Sequence, residues 1–272
     1  MYTIKLSNDV EVPQLGLGIF MARQGAEAEQ AVLWALEAGY RHIDAAAVYG
    51  NEYSVGLGIK RSSIPREDIF LTTKVWNTDI RAGRTKEAFY ESLERLQTDY
   101  VDLYLLHWPT EGREEAWAVL EDLYEQKKIR AIGVSNFQQH HLEELAKTAR
   151  ILPMFNQIES HPILNNQPLI DYCQSHGIAV GAWSPLGGPR VNLLEHPVLQ
   201  QLAAKYRRTA AQIILRWDLQ RGIVPIPKSV HRERIQSNLQ VFDFVLTTED
   251  MMLLQSLNMG LRVGPDPDHF NF

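Results

Sequence analysis

The chain has 272 residues, of which 45% are hydrophobic and 22% charged, which is typical of a globular protein with a large core. Its 27 basic and 33 acidic side chains give a formal net charge of −6, which argues against broad nucleic-acid binding because that needs a basic face. The single cysteine, Cys173, rules out an internal disulfide and fits a reducing compartment. No run approaches the roughly 18 apolar residues of a membrane span, and the first residues do not form a secretion signal.

Short apolar segments alternate along the chain with segments of helical spacing. Before them, alternating residues predict a small β-hairpin over residues 2–12. The predicted strands cover residues 15–20, 41–46, 70–76, 101–108, 131–135, 154–158, 178–183 and 223–226. The predicted helices cover residues 28–38, 52–60, 86–96, 114–126, 142–148, 169–175, 198–206, 210–219, 232–242 and 248–257. Residues 262–272 have no helical pattern.

The spacing of these eight strands predicts the fold. They recur at close to the roughly 30 residues of a βαβ unit, and they are apolar throughout, as in parallel strands buried on both faces. No linker-like tract interrupts them, so we expect a single (β/α)8 TIM barrel over residues 1–272, with an N-terminal β-hairpin and extra C-terminal helices. A doubly wound open sheet is the rival, but neither Gly16-Leu-Gly18 nor Gly56-Leu-Gly58 completes its dinucleotide fingerprint.

Four polar side chains fall at the carboxyl ends of predicted strands, which form the active face of a barrel. Asp44 lies near the end of one strand, Tyr49 follows five residues later, and Lys74 and His107 end later strands. A carboxylate in an apolar run needs a cationic partner, and Lys74 is the candidate. A nearby ammonium should lower the pKa of a phenol, and His107 could orient a carbonyl oxygen beside it. The set indicates carbonyl reduction, with a hydride added to carbon and a proton to oxygen.

At these residues the chain resembles the aldo-keto reductase family, and the likeness covers nearly its whole length. The segments that carry it are Asp44–Tyr49, Thr73-Lys74, His107–Pro109, Gly133–Asn136, Asn156–Glu159 and Ile226–Ser229. Lys228–Ile235 and Arg262–Asp268 are most similar to bacterial 2,5-diketo-D-gluconate reductases. The resemblance implies a monomeric, cytoplasmic barrel that binds NADPH without a Rossmann domain. It also implies reduction of aldehydes and ketones, with 2,5-diketo-D-gluconate among the candidate substrates.

The resemblance implies roles at the nicotinamide end of the cofactor. Ser135, Asn136 and Gln157 would hydrogen-bond the carboxamide, and Trp183 would stack on the ring, where many relatives have tyrosine. The remaining cofactor residues it implies are Ser184 and Leu186 at the pyrophosphate, Lys228, Ser229 and Arg234 at the 2′-phosphate, and Asn238 near the adenine. The chain departs from the family at Ala45 and Ile19, where many members have threonine, and neither position is one of the four catalytic candidates.

Aromatic residues at the strand ends predict an apolar substrate pocket beside the cluster. Phe20, Trp76 and Trp108 would form its walls, and the short connection after Trp108 predicts an open site. No metal site is predicted, because His140-His141 has no further ligand at a suitable spacing.

Two other functions remain open. One is a cofactor-binding regulatory protein on the same barrel with little turnover, against which the intact set of four catalytic candidates argues. The other is a metal-dependent hydrolase, against which the lack of carboxylate and histidine clusters at several strand ends argues.

Overall fold

The computed structural model describes residues 2–188 and 191–272. Its strands are β1 (Thr3–Lys5), β2 (Glu11–Pro13), β3 (Leu17–Gly18), β4 (His42–Asp44), β5 (Phe70–Val75), β6 (Val101–Leu106), β7 (Ile129–Ser135), β8 (Phe155–Glu159), β9 (Ala179–Trp183) and β10 (Ile223–Ile226). β1 and β2 pair as the predicted antiparallel hairpin. β3 to β10 form one sheet of eight strands, in which each strand pairs in parallel with the next along the chain.

The first and last of these eight strands meet. The Gly16 N–H donates to the Pro225 carbonyl at 3.1 Å, and the Gly18 N–H donates to the Pro227 carbonyl at 3.0 Å. Gly18 also forms a parallel bridge with Lys228. These contacts close the sheet, so the predicted (β/α)8 barrel is confirmed.

The helices that surround the sheet follow the predicted order. They are α1 (Ala26–Ala38), α2 (Glu52–Arg61), α3 (Asn77–Arg81), α4 (Thr85–Leu96), α5 (Arg113–Glu125), α6 (Gln139–Leu145), α7 (Gln167–Ser175), α8 (Pro197–Tyr206), α9 (Ala210–Gln220), α10 (Arg232–Leu239) and α11 (Thr248–Gln255). The prediction missed α3, whose five residues are too few to reveal a period. Among the described residues, no helix is both long and apolar enough to cross a membrane.

Several predicted strands extended too far at their carboxyl ends. The segment predicted as strand 41–46 leaves the sheet after Asp44 and turns through a 3₁₀ helix, Ala47–Tyr49. The predicted strand 101–108 likewise ends at Leu106. In both places the apolar residues continue past the end of the strand. They are buried at the carboxyl end of the barrel, although they no longer pair within the sheet. Early strand endings therefore place Tyr49 in this 3₁₀ turn and His107 in the loop after β6.

Close packing at Gly56 explains why the Gly56-Leu-Gly58 motif lies inside helix α2. A Cβ added at Gly56 would lie 2.4 Å from the Leu96 carbonyl oxygen, so α2 packs directly on the end of α4. The motif thus serves helix packing, in agreement with its rejection as a dinucleotide fingerprint.

Because His42 is buried inside the barrel, we expect the free energy of unfolding to fall in mild acid. Its ring is fully buried, with Nε2 3.0 Å from Thr72 Oγ1, and burial lowers its pKa to about 4. The unfolded chain binds this proton near pH 6.5, so the contribution of neutral His42 is complete above that pH and is lost as the pH falls towards 4. We expect a loss of about 2 kcal/mol in the free energy of unfolding between pH 7 and pH 5 from this residue.

The measurement is urea unfolding across this pH range for the wild type and for His42→Gln. Gln keeps a polar group at the site but cannot titrate, so its stability should fall less steeply with acid. Parallel curves for the two proteins would show that His42 is not the cause.

Candidate active site

Asp44 and Lys74 form a buried ion pair at the ends of β4 and β5. Lys74 Nζ donates to Asp44 Oδ1 at 2.6 Å and to the Ala45 carbonyl at 2.9 Å. Burial acts to lower the pKa of Lys74, but Asp44 and Tyr49 more than offset it, so the net pKa is raised. Lys74 is therefore a fixed ammonium at neutral pH, as its pairing with Asp44 predicted.

Tyr49 points its hydroxyl at this ammonium. The 3₁₀ turn Ala47–Tyr49 ends at Gly50, whose φ of 67° permits the sharp turn into α2, and places Tyr49 Oη 3.5 Å from Lys74 Nζ. Burial raises the pKa of Tyr49 above its usual value, while Lys74 acts in the opposite direction. The Lys74 ammonium acts to lower the pKa, as predicted, but desolvation outweighs it, so the net pKa of Tyr49 is raised. The phenol thus keeps its proton at neutral pH, as a proton donor must.

His107 lies beside Tyr49 as a neutral imidazole. Burial, and next the Lys74 charge, hold the pKa of His107 well below its usual range. Its ring meets the Tyr49 ring edge-on, with centroids 5.8 Å apart. Nδ1 is buried and has no hydrogen-bond partner among residues 2–188 and 191–272. A neutral imidazole has one donor nitrogen, so His107 can donate to a carbonyl oxygen without being charged.

The residues assigned to the nicotinamide lie next to this cluster and are bonded to it. Gln157 Nε2 donates to Asp44 Oδ2 at 2.7 Å, a contact that the sequence did not predict. Asn136, at a φ of 65°, donates through Nδ2 to the His107 carbonyl at 3.0 Å and accepts the Trp183 Nε1–H at 2.8 Å. The Ser135 hydroxyl donates to the Gln157 carbonyl and accepts from Asn136 Nδ2. The structure thus brings the catalytic and nicotinamide candidates into one network.

The three aromatic residues predicted as the wall of a substrate pocket lie on the side of the catalytic candidates, and Phe20 is the exposed one. The Phe20 side chain is 56% exposed, and its ring centroid is 5.1 Å from that of Tyr49. Trp76 lies edge-on to His107 at 5.1 Å, and Trp108 is buried nearby. Phe20 and Trp76 therefore contact two of the four catalytic candidates, Tyr49 and His107.

Residues 262–272, which we call the tail, cover this wall. Phe272 stacks on Trp76 at 5.5 Å, and Phe270 packs on Trp108 at 5.0 Å. Arg81 and Asn77 donate to the Phe272 main-chain oxygen. The sequence prediction of an open site did not include this cover, because the tail has no periodic pattern. The one sequence feature that pointed to such a cover was the pair of phenylalanines in an otherwise polar tail.

The residues assigned to the far end of the cofactor lie after β9 and β10. Lys228 and Arg234 are exposed, and no carboxylate of the described chain is within ion-pair distance of either. Ser229 is buried and accepts the His231 N–H at 3.1 Å, and Asn238 is buried on α10. The loop that follows β9 contains Ser184, with a φ of 47°, and Leu186; its residues 189–190 lie outside the described part of the chain.

His140, His141 and Asp268 bring three potential metal ligands within 4.8 Å of one another. The sequence did not predict this cluster, because Asp268 is distant along the chain. His141 Nδ1 accepts the Gln138 N–H at 3.1 Å, so Nε2 carries the proton and faces Asp268 at 3.4 Å. This tautomer cannot ligate a metal through Nε2. Asp268 Oδ1 lies 3.0 Å from His140 Nε2 and 3.4 Å from His141 Nε2, so the cluster brings the tail against α6.

Comparison with known proteins decides the family. Residues 14–259 match the model of the aldo/keto reductase family. The chain belongs to the aldo/keto reductase family. It is 53% identical over 271 residues to glyoxal reductase of Bacillus subtilis (strain 168). These residues cover 99% of this chain and 98% of that protein.

Solved structures of aldo/keto reductases have the same fold. The chain is similar to an aldo-keto reductase from a Medee basin deep-sea metagenome library, with a TM-score of 0.96, 46% identity, and coverage of 99% of this chain and 100% of that one. It is also similar to a Bombyx mori aldo-keto reductase solved in complex with NADP, with a TM-score of 0.91, 38% identity, and coverage of 98% and 96%. The family resemblance and the enzyme class predicted from the sequence are therefore confirmed. The finer likeness to 2,5-diketo-D-gluconate reductases stays a prediction.

Proposed function

We propose that the protein reduces small aldehydes and ketones to alcohols with NADPH, and that Tyr49 donates the proton. The observation that carries this proposal is the arrangement of Tyr49 Oη against Lys74 Nζ, with Lys74 held by Asp44. The chain is an NADP-dependent oxidoreductase, in agreement with its family and with the NADP bound by the Bombyx mori relative.

Each catalytic candidate has a distinct task in this proposal. Burial keeps the proton on Tyr49 Oη until an oxygen that gains negative charge lies beside it. The Lys74 ammonium then stabilises the phenolate that remains, and Asp44 keeps the ammonium in place. Neutral His107 donates a hydrogen bond that orients the carbonyl oxygen towards Tyr49. NADPH, when bound, supplies the hydride.

The side chains at the far end of the site fit an anionic dinucleotide. Lys228 and Arg234 are exposed cations that form no ion pair with the described residues, and Asn238 offers a polar side chain nearby. Residues that would hold the cofactor are Ser135, Asn136, Gln157 and Trp183 at the nicotinamide, Ser184 and Leu186 at the pyrophosphate, and Lys228, Ser229, Arg234 and Asn238 at the adenosine 2′-phosphate and base.

Coenzyme choice should depend on Lys228 and Arg234. NADPH differs from NADH only in the 2′-phosphate, and two charge-assisted contacts should give a preference on the order of 10²-fold or more. We expect Lys228→Gly with Arg234→His to weaken NADPH binding far more than NADH binding in fluorescence titrations. Raising the salt concentration should likewise weaken NADPH binding more, because the contacts are ionic.

Arg232→His is the matched control, since Arg232 is an exposed arginine on the same helix that faces Glu37 instead. It should leave the preference unchanged. If the double substitution weakens the binding of NADPH and NADH equally, Lys228 and Arg234 do not contact the 2′-phosphate.

The substrate class follows from the wall of the pocket. Phe20, Trp76 and Trp108 offer apolar contacts, which favour neutral aldehydes and ketones over charged sugar acids. The Bacillus subtilis relative is named for glyoxal, a small neutral dicarbonyl. A charged substrate such as 2,5-diketo-D-gluconate is therefore the less favoured of the two classes.

The test follows NADPH absorbance against a panel of aldehydes, dicarbonyls, 2-ketoesters, sugars and 2,5-diketo-D-gluconate. We expect the highest kcat/KM for small neutral carbonyls. Tight NADPH binding without turnover of any carbonyl would instead favour a cofactor-binding regulatory protein.

A further inference from the structure

The carboxylate of Glu159 holds the tail on the active face of the barrel. Glu159 is the last residue of β8, and its side chain is fully buried. It accepts the Val263 N–H at 2.6 Å through Oε1 and the Gly264 N–H at 3.3 Å through Oε2. Hydrogen bonds to a charged acceptor are the stronger class, so the start of the tail is firmly attached here.

His161, two residues after the end of β8, orients this carboxylate. His161 Nδ1 accepts the Leu164 N–H at 3.2 Å, so Nε2 carries a proton and donates it to Glu159 Oε1 at 3.0 Å. Both side chains are fully buried. Within the described chain, every hydrogen bond to the Glu159 carboxylate comes from His161 or from the tail. Attachment of the tail therefore satisfies a charge that is otherwise only partly bonded.

The attached segment lies directly on the Trp183 ring. A Cβ added at Gly264 would be 2.3 Å from Trp183 Cη2, so only glycine allows this contact. At its other edge, the ring donates through Nε1 to Asn136 Oδ1. Trp183 is thus confined between Asn136 and the main chain that Glu159 holds.

The same anchor leads to the cover of the substrate wall. Beyond Gly264, Asp268 lies beside the two histidines of α6, and Phe270 and Phe272 then reach Trp108 and Trp76. The first attachment point of the tail is therefore at Glu159, next to the Trp183 ring assigned to the nicotinamide.

We propose that Glu159 is a positioning residue, which holds Trp183 for the cofactor and holds the tail over the substrate wall. The identity of these two ligands rests on the proposed function. Glu159 contacts neither Tyr49 nor Lys74, so its loss should impair binding rather than proton transfer. A rise in KM and in the NADPH dissociation constant with little change in kcat is the expected signature.

Glu159→Ala removes all three hydrogen bonds and is expected to raise the KM of the carbonyl substrate by about tenfold or more. Glu159→Gln retains one acceptor oxygen, so we expect an intermediate KM. Steady-state kinetics and NADPH titration measure these effects, and hydrogen exchange of the Val263 and Gly264 amides reports directly on the attachment of the tail.

Glu121 supplies a matched control far along the sequence from the tail. It is a buried glutamate on α5 that accepts the main-chain N–H groups of Arg150 and Ile151 at 2.6 and 2.7 Å. Glu121→Ala and Glu121→Gln should lower the unfolding temperature without altering KM. Gly264→Ala leaves Glu159 intact but forces the Trp183 ring to move, so it should also weaken NADPH binding, and it tests the proposal if Glu159→Ala does not fold.

Equal changes in KM for the Glu159 and Glu121 variants would overturn the proposal, as would a loss of kcat alone. If the wild type reduces no carbonyl, the proposed function fails but the exchange measurement still decides the anchor. Faster exchange of the Val263 and Gly264 amides in Glu159→Ala than in Glu121→Ala supports it, and unchanged exchange overturns it.

Discussion

Replacing Tyr49 by phenylalanine is expected to lower carbonyl turnover by about 10²–10⁴-fold, the usual contribution of a general acid. The substitution removes only the hydroxyl that lies 3.5 Å from Lys74 Nζ. It keeps the ring that packs against Phe20 and His107, so the fold and NADPH binding should survive. Single-turnover oxidation of bound NADPH measures the chemical step separately from cofactor binding.

Tyr53→Phe is the control for this experiment. Tyr53 lies four residues later on α2 and is 49% exposed, so removing its hydroxyl should leave turnover near that of the wild type. Should Tyr49→Phe also retain near wild-type turnover, Tyr49 is not the acid, and neutral His107 becomes the next candidate.

Lys74→Met is expected to reduce turnover to a similar extent. Lys74 is the group that opposes the rise in the Tyr49 pKa caused by burial, so its loss would make the phenol a weaker acid. It would also leave Asp44 buried without its cation, which typically costs about 3–5 kcal/mol. Urea unfolding must therefore accompany the kinetics, and Lys74→Met with Asp44→Asn removes the unpaired charge.

The losses from these residues should not multiply. Residues that act as one unit are strongly non-additive, so Tyr49→Phe with Lys74→Met should lose little more than the worse single variant. The same holds for Tyr49→Phe combined with Asp44→Asn. A double variant that loses the product of the two single factors would mean that Tyr49 and Lys74 act independently.

Local patterns were sufficient to predict the barrel and the place of the catalytic candidates. Parallel strands buried on both faces are continuous apolar runs, and their carboxyl ends must meet at one face once the sheet closes. Asp44, Lys74 and His107 end such runs, so their proximity followed from the strand count. The short helix α3 was missed, and several strands were predicted to extend too far at their carboxyl ends, because the apolar runs continue past the sheet.

The contacts between distant segments could not be predicted in this way. Gln157 reaches Asp44 across 113 residues of sequence, and Glu159 reaches Val263 across 104. The local sequence around a glutamine or a glutamate does not reveal such a partner, because either side chain could equally well be exposed to solvent. The tail offered no periodicity, so its position over Trp76 could be found only from the folded chain.

The electrostatic state of the site shows the same division. The sequence by itself determined which groups are proposed to carry the chemistry, since an aspartate, a tyrosine, a lysine and a histidine at or just after strand ends have few roles as packing. Whether Tyr49 is a stronger or a weaker acid than usual depends on the balance between its distance from Lys74 and its loss of solvent. Only the tertiary structure decided that balance: the loss of solvent outweighs the ammonium, and the pKa of Tyr49 is raised. The reason is that desolvation depends on every group that packs around the phenol, and most of these groups are distant in sequence.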